Sequence, residues 1–414
     1  MQGNERTVGT TTANLMDHPH DDSPVSNRVS RSGDILLHLR RHGASTVTEL
    51  ADAMRMARST VMHRLERLGE HGLVRAVQTR SNGRGRPATT YEFDPDGGIV
   101  LSAHVGMTGA RLGASDLGAR LHGHTFLDID IATGPERVVP AIGDALEALR
   151  HDLGLDPAKV LGIGVGLPGA IELAAIHTAG TQWSSHPVAQ DLADRFGVPA
   201  FADQDVNLLA LGEQVHGWPE ARSLLCVKVG SVIACGVVAD GRIVSGADGL
   251  AGDIGHTRIG GREEACVCGN IGCLNAVAGG ASLVRKLTAD GVAGVDHVRD
   301  VVRMAQEGSV PARAAIRQAG RDLGTVLAGA VNLLNPRVIA FWGYLVGDEE
   351  SLLAGVRETL YQGAAPTATR DLVLVSSELG DTTGLSGSAL MVTEQVLAPR
   401  AVDFRLDRGA PADS

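Results

Sequence analysis

The stretch Ala57-Arg58-Ser59-Thr60-Val61-Met62-His63-Arg64-Leu65-Glu66-Arg67-Leu68-Gly69 sets Val61, Leu65 and Leu68 at i, i+4 and i+7, so a helix over these residues buries one apolar face. Arg58, Ser59, Thr60, His63, Arg64 and Arg67 fall on the other face. Upstream, Thr46-Val47-Thr48-Glu49 has the spacing of a capping box, in which hydroxyl and carboxylate satisfy free amides at a helix start. It opens a short helix through Met54, and a brief turn follows. In a helix-turn-helix the second helix enters the major groove with its N-terminal residues at the base edges. Arg58, Ser59 and Thr60 are therefore the first candidates for base readout, then His63 and Arg64, with Arg67 further along.

Working outward, a third helical pattern precedes these two, beginning near Ser30. On the other side, Gly83-Arg84-Gly85-Arg86-Pro87 sits between two strand-like runs, Val74-Arg75-Ala76-Val77 and Thr90-Tyr91-Glu92-Phe93. A hairpin tip bearing Arg84 and Arg86 without bulky neighbours suits close approach to the backbone or the minor groove. Charge supports this placement. Residues 28–93 hold twelve Arg, no Lys and six acidic residues, a surplus of +6 against −17 for the rest of a chain whose net charge is −11. A basic module on an acidic body attracts phosphates locally although the whole chain is acidic.

At 414 residues the chain exceeds one ordinary hydrophobic core, so two or three domains are expected. Residues 1–28 lack periodicity and read as a disordered lead-in. Residues 29–95 form the winged helix-turn-helix, and Asp94-Pro95-Asp96-Gly97-Gly98 is a turn and a boundary. Beyond it, apolar strand-like runs (Ile99 to Val105, Val160 to Val165, Leu224 to Val229, Val338 to Phe341) alternate with helical stretches (Pro135 to Leu153, Pro311 to Leu334), a pattern of α/β class. Residues 399–414 read as a polar, flexible tail. No apolar run approaches the roughly 18 to 20 residues of a membrane span, and the N-terminus lacks the blocks of a signal peptide, so a cytoplasmic location is expected.

Cys266, Cys268 and Cys273 give C-x-C-x4-C, with His256 a short loop upstream. Three thiolates and an imidazole suit a closed tetrahedral zinc site that stores folding energy.

From Ile99 to about Val396 the chain resembles the ROK family, which contains bacterial sugar kinases and repressors with a helix-turn-helix in front. The resemblance is carried by Gly162-Ile163-Gly164-Val165-Gly166-Leu167-Pro168-Gly169, by Asp205-Val206-Asn207 with Glu213, by Ala251-Gly252-Asp253-Ile254-Gly255-His256, and by Cys266-Val267-Cys268-Gly269-Asn270-Ile271-Gly272-Cys273-Leu274. It implies a two-lobed, actin-like, sugar-kinase-like domain over residues 99–398 and a ligand set of Pro168, Gly169, Gln204, Asp205, Asp253, His256 and Asn275. Asp205 matches the family's catalytic base, and His256 is implied to touch sugar through the ring nitrogen that faces away from the metal.

The kinase half departs from that pattern. The family's Asp-x-Gly-Gly-Thr turn reads His104-Val105-Gly106-Met107-Thr108 here, which removes a metal-holding carboxylate. A second glycine-rich turn reads Gly230-Ser231-Val232-Ile233-Ala234-Cys235-Gly236, and a further Gly-Gly pair reads Trp342-Gly343. On the sugar side, Gln204, Asp253 and Asn275 replace Asn, Glu and Glu, keeping hydrogen-bonding capacity while changing reach or charge. The chain is thus expected to be no enzyme. It is expected to be a regulator, by family habit a repressor, that binds a double-stranded operator as a homodimer or homotetramer and senses a sugar-like effector. Two rivals are a bifunctional sugar kinase and a DNA-binding protein whose rear domain only oligomerises.

Overall fold

A computed structural model of the chain describes residues 31–78, 89–169, 183, 186–377 and 379–408. The expected lead-in and the wing-tip residues Arg84 and Arg86 lie outside the described residues.

The N-terminal module consists of α1 (Ser32–His42), β1 (Ser45–Thr46), α2 (Val47–Met54), α3 (Arg58–Glu70), β2 (Val74–Gln78) and β3 (Thr89–Phe93), with its strands ordered β1-β3-β2. The capping box forms. Glu49 N–H donates to Thr46 Oγ1 at 3.2 Å and Thr46 N–H donates to Glu49 Oε2 at 2.7 Å. Arg55, with φ 53°, turns the chain sharply between α2 and α3. Val61, Leu65 and Leu68 are buried, as their spacing predicts.

Two five-stranded sheets follow, built on one plan. The first contains β4 (Ile99–Gly106), β5 (Gly109–Ser115), β6 (Leu121–Leu127), β7 (Val160–Leu167) and β8 (Ala200–Gln204), ordered β6-β5-β4-β7-β8. The second contains β9 (Leu224–Val229), β10 (Ile233–Ala239), β11 (Arg242–Ile243), β12 (Val338–Trp342) and β13 (Val373–Ser376), ordered β11-β10-β9-β12-β13. In each, three antiparallel strands lead into two parallel ones. The central strands read as nearly continuous apolar runs because both faces are covered.

Among the described residues the helices of this region are α4 (Pro135–Asp152), α5 (Val188–Phe196), α6 (Asp205–Gly212), α7 (Leu274–Ala278), α8 (Gly280–Ala289), α9 (Val298–Gln306), α10 (Val310–Leu334), α11 (Glu349–Gly363), α12 (Pro366–Thr369), α13 (Thr383–Val396) and α14 (Pro399–Arg408). Two of them join the lobes: α13 packs on β4 and β7 and against α6, which packs in turn on β9 and β10. The helices touch at backbone distance, since a Cβ on Gly387 would lie 1.8 Å from the Leu208 carbonyl oxygen. Among the described residues no helix is long and apolar enough to cross a membrane.

One expectation is corrected. Residues 399–408, read from their polarity as part of a flexible tail, form α14, and only 409–414 lie outside the described residues. Val402 and Leu406 are 0% and 1% exposed and join Ile35, Leu36, Leu39 and Leu65 in one core. Gly33 N–H donates to Asp403 Oδ1 at 3.1 Å, and Arg40 of α1 pairs with Glu394 of α13. A stripe of two apolar residues is too thin to announce a helix by periodicity; the groove of the N-terminal module supplies the missing burial.

Truncating Leu406 to Ala should therefore destabilise the N-terminal module by about 2–4 kcal/mol. Denaturant unfolding followed on that module reads this directly, and an unchanged midpoint would show that α14 carries no part of its core.

Candidate functional site

The exposed face of α3 is the candidate DNA-reading surface. Arg58, Ser59, Thr60 and His63 are exposed on its first turns, where a recognition helix offers side chains to base edges. Arg64 and Arg67 share the helix but are less free. The Arg64 guanidinium is half-buried with Nη1 3.8 Å from Met56 Sδ, and Arg67 Nη2 pairs with Asp407 Oδ1 of α14 at 3.3 Å.

The expected metal quartet assembles. The donor atoms of His256, Cys266, Cys268 and Cys273 all lie within 4.8 Å of one another. Cys266 Sγ is 3.4 Å from His256 Nδ1, and Cys268 Sγ is 3.6 Å from Cys273 Sγ. These separations fit a tetrahedron with zinc bonds of about 2.0–2.3 Å. The backbone builds the loop, with Gly269 N–H donating to the Cys266 carbonyl at 3.0 Å and Cys266 N–H to the Asn270 carbonyl at 2.9 Å. Gly269 sits at φ +89°, which explains glycine there. Arg262 clamps the loop to α10 by a two-pronged contact with Asp322 at 2.8 and 2.9 Å.

The expected ligand residues come from segments of both lobes. Pro168 and Gly169 follow β7, Gln204 and Asp205 stand at the junction of β8 and α6, Asp253 and His256 lie on the loop after β11, and Asn275 is in α7. Gln204 Nε2 donates to the Gly249 carbonyl, and Asn275 Oδ1 accepts from Ile233 N–H at 2.6 Å. His256 Nε2, on the ring edge opposite the thiol, is 4.0 Å from Asp253 Oδ1.

Asp205 is 2% exposed and pairs with Lys228 Nζ at 2.5 Å. His104 Nε2 is 3.8 Å from the same carboxylate oxygen. Burial pushes the His104 imidazole down to about 4 from 6.5, so it is neutral here. A cavity of about 300 Å³ opens beside this group, between the β4–β5 turn at Met107 and Thr108 and the β9–β10 turn at Ser231 and Val232. Of the ligand residues expected from sequence, only Asp205 lines it.

Lys228 and Arg111, the latter from β5 and paired with Asp381 at 2.7 Å, also line this cavity and were not singled out by the sequence. A signal existed for the first, because Lys228 is the one charged residue in the buried run Leu224–Val229. Its partner could not be read from it.

The ROK family model matches residues 102–395, and a helix-turn-helix domain model matches residues 32–77. A protein named xylose repressor from Caldicellulosiruptor bescii is 26% identical over 85% of this chain and 92% of its own. A glucokinase from Halalkalibacterium halodurans is 28% identical over 63% of this chain and 85% of its own. Among solved structures, a ROK family transcriptional regulator described as a homologue of the Escherichia coli Mlc protein superposes with a TM-score of 0.74 at 23% identity, covering 91% of this chain and 98% of its own. That last likeness establishes the fold.

Because the fold lowers the His104 pKa to about 4, an unfolded chain binds a proton that the folded one refuses between about pH 4 and 6.5. Stability contributed at His104 is therefore present above pH 6.5 and lost as pH falls toward 4, by roughly 2–4 kcal/mol. Replacing His104 with Gln should flatten this part of the pH dependence in urea unfolding at pH 7 and pH 4.5. Equal slopes in both proteins would contradict the burial of a neutral imidazole.

Proposed function

The chain belongs to the ROK family, and on that premise we propose that it is a transcriptional repressor that reads operator DNA through α3 and senses a sugar-like ligand between its lobes. The observation that carries the reading is the exposed Arg58, Ser59, Thr60 and His63 face on a helix whose core is continuous with α13 and α14. Binding that shifts α13 would move the reading helix, because both pack into one core. A tenfold change in occupancy needs only about 1.4 kcal/mol of differential affinity between the two states. Arg84 and Arg86 would add backbone or minor-groove contacts from the wing.

The domain acts here as a sensor without phosphoryl transfer. Asp205, the residue matching the kinase base, is already paired with Lys228, and His104 stands where a magnesium-holding carboxylate is expected. Gln204, Asp253, His256 and Asn275, with Pro168 and Gly169, form the polar wall for a sugar-like ligand; the relative named for xylose supports that ligand class. Zinc held by His256, Cys266, Cys268 and Cys273 fixes the His256 ring and closes the loop that carries it. A homodimer or homotetramer in the cytoplasm fits the reading, since a palindromic operator mirrors two-fold protein symmetry.

A gel shift of the purified protein on its own promoter region, with a panel of sugars, tests the whole reading. Specific binding released by one sugar is the expected result; salt-sensitive binding unmoved by every sugar would reduce the rear domain to an oligomerisation unit. ATP-dependent phosphorylation of any sugar, with ADP released, would restore the kinase.

Two narrower outcomes follow from the same residues. Replacing Arg58 by Ala should weaken operator binding by about 1–3 kcal/mol and relax preference at one base position, measured by fluorescence anisotropy on operator variants. Metal analysis should find one zinc per chain, and Cys268→Ser should reduce that content and lower the melting temperature; full zinc occupancy in the variant would exclude this quartet.

A further inference from the structure

A second cavity, of about 490 Å³, lies outside the cleft and shares no lining residue with the cavity beside Asp205. It is bounded by α7, α8, α10 and the segment that leads into Cys266. Ala276, Leu283, Ala315 and Ala319 line it and are buried, whereas Arg285 and Lys286 of α8 line it and are exposed. The lining is therefore apolar in its depth and charged where it meets water.

Several polar groups of this lining already have partners. Asp322 accepts from Arg262 Nη2 at 2.8 and 2.9 Å and from Gln318 Nε2 at 3.3 Å, and Ser282 Oγ donates to the Ala276 carbonyl. Arg262 spends only Nη2 on this clamp. Arg285 and Lys286 have no hydrogen-bond or ion-pair partner among the described residues. Exposed cations ordinarily need none, but these two border a concave apolar surface, and that combination separates a ligand site from a solvated face. Three cations line the cavity against two carboxylates, Glu264 and Asp322, on a body that is otherwise strongly acidic. Successive residues of a helix point about 100° apart, so Arg285 and Lys286 offer two separate charges rather than one focus. Two carboxylates joined by a short carbon chain match that layout better than one compact phosphate or sulfate.

We propose that this cavity binds a small aliphatic dicarboxylate, one carboxylate on the Arg285 guanidinium, the other on the Lys286 ammonium, and the methylene chain against Leu283, Ala315 and Ala319. A guanidinium takes a carboxylate bidentately, an ammonium takes one as a point charge, and burying the chain adds the apolar contribution that an inorganic anion lacks. Glu264, exposed and lining the same cavity, opposes the ligand by its charge. The occupant would touch the segment that carries Arg262 and Glu264 together with α8 and α10, and so brace the cysteine loop against both helices. The inference stands apart from the sugar-sensing reading and adds a second ligand to it.

Calorimetric titration of the full chain with succinate, butyrate and sulfate tests it. Butyrate keeps the four-carbon chain with one carboxylate, and sulfate keeps the charge without the chain. Succinate is expected to bind about tenfold more tightly than either and to raise the melting temperature. Arg285→Gln and Lys286→Gln should each weaken succinate by about fivefold or more, and Glu264→Gln should tighten it. All three positions are exposed, and melting curves without ligand report that the variants fold. Arg111→Gln, in the cleft, should leave succinate binding unchanged. Failure of succinate to bind, equal binding of butyrate or sulfate, unchanged affinity in both α8 variants, or loss of succinate binding in the Arg111→Gln protein overturns the proposal. An oligomer that dissociates in the α8 variants while succinate stays inert gives the cavity to a second copy of the chain and overturns it as well.

Discussion

Helix α13 is held between two surfaces at backbone distance, and that contact orders the rest of the molecule. On one side it lies on β4 and β7, and on the other against α6, where Gly387 meets the Leu208 carbonyl with no room for a side chain. Packing this tight permits few intermediate positions. The spacing of the two sheets, and therefore the width of the cleft, is set by the α13–α6 contact. The C-terminal end of α13 leads through Leu397 into α14, which completes the core of the N-terminal module. One continuous packed path thus runs from the cleft floor to the helix proposed to read DNA.

The cleft itself is organised by a buried ion pair. Removing Asp205 and Lys228 from water is costly, and their 2.5 Å contact offsets that cost only while both remain charged and paired. The pair engages one oxygen of the residue that matches a kinase base. The neighbouring His104 completes the change, since its neutral ring fills space against Gly384 where a metal-holding carboxylate is expected. The residue that matches a kinase base is here one half of a buried ion pair.

On the opposite wall, the cysteine loop does for His256 what packing does for α13. Its tight turn at Gly269, the Arg262–Asp322 clamp and the hydrogen bond that Leu274 N–H donates to the Thr257 carbonyl hold ring and helix α7 in one unit. Asn275, one residue into that helix, is then placed to accept from Ile233 at the start of β10. The cysteine loop, Asn275 and the second sheet share a single framework.

Much of this was legible in the sequence because it is local. The capping box at Thr46 and Glu49, the inward face of Val61, Leu65 and Leu68, the apolar central strands and the four metal donors each depend on residues near one another along the chain. Periodicity and spacing report such arrangements directly. The remainder depended on contacts between distant segments. Residues 399–408 become a helix because a groove formed by residues 35–65 buries Val402 and Leu406, and Arg67 is drawn aside by Asp407, 340 positions away. Lys228 finds Asp205 only when β9 and α6 pack together. Burial and pairing across such separations are properties of the assembled fold, so only the tertiary structure decided which arginines stay free and which charge neutralises Asp205.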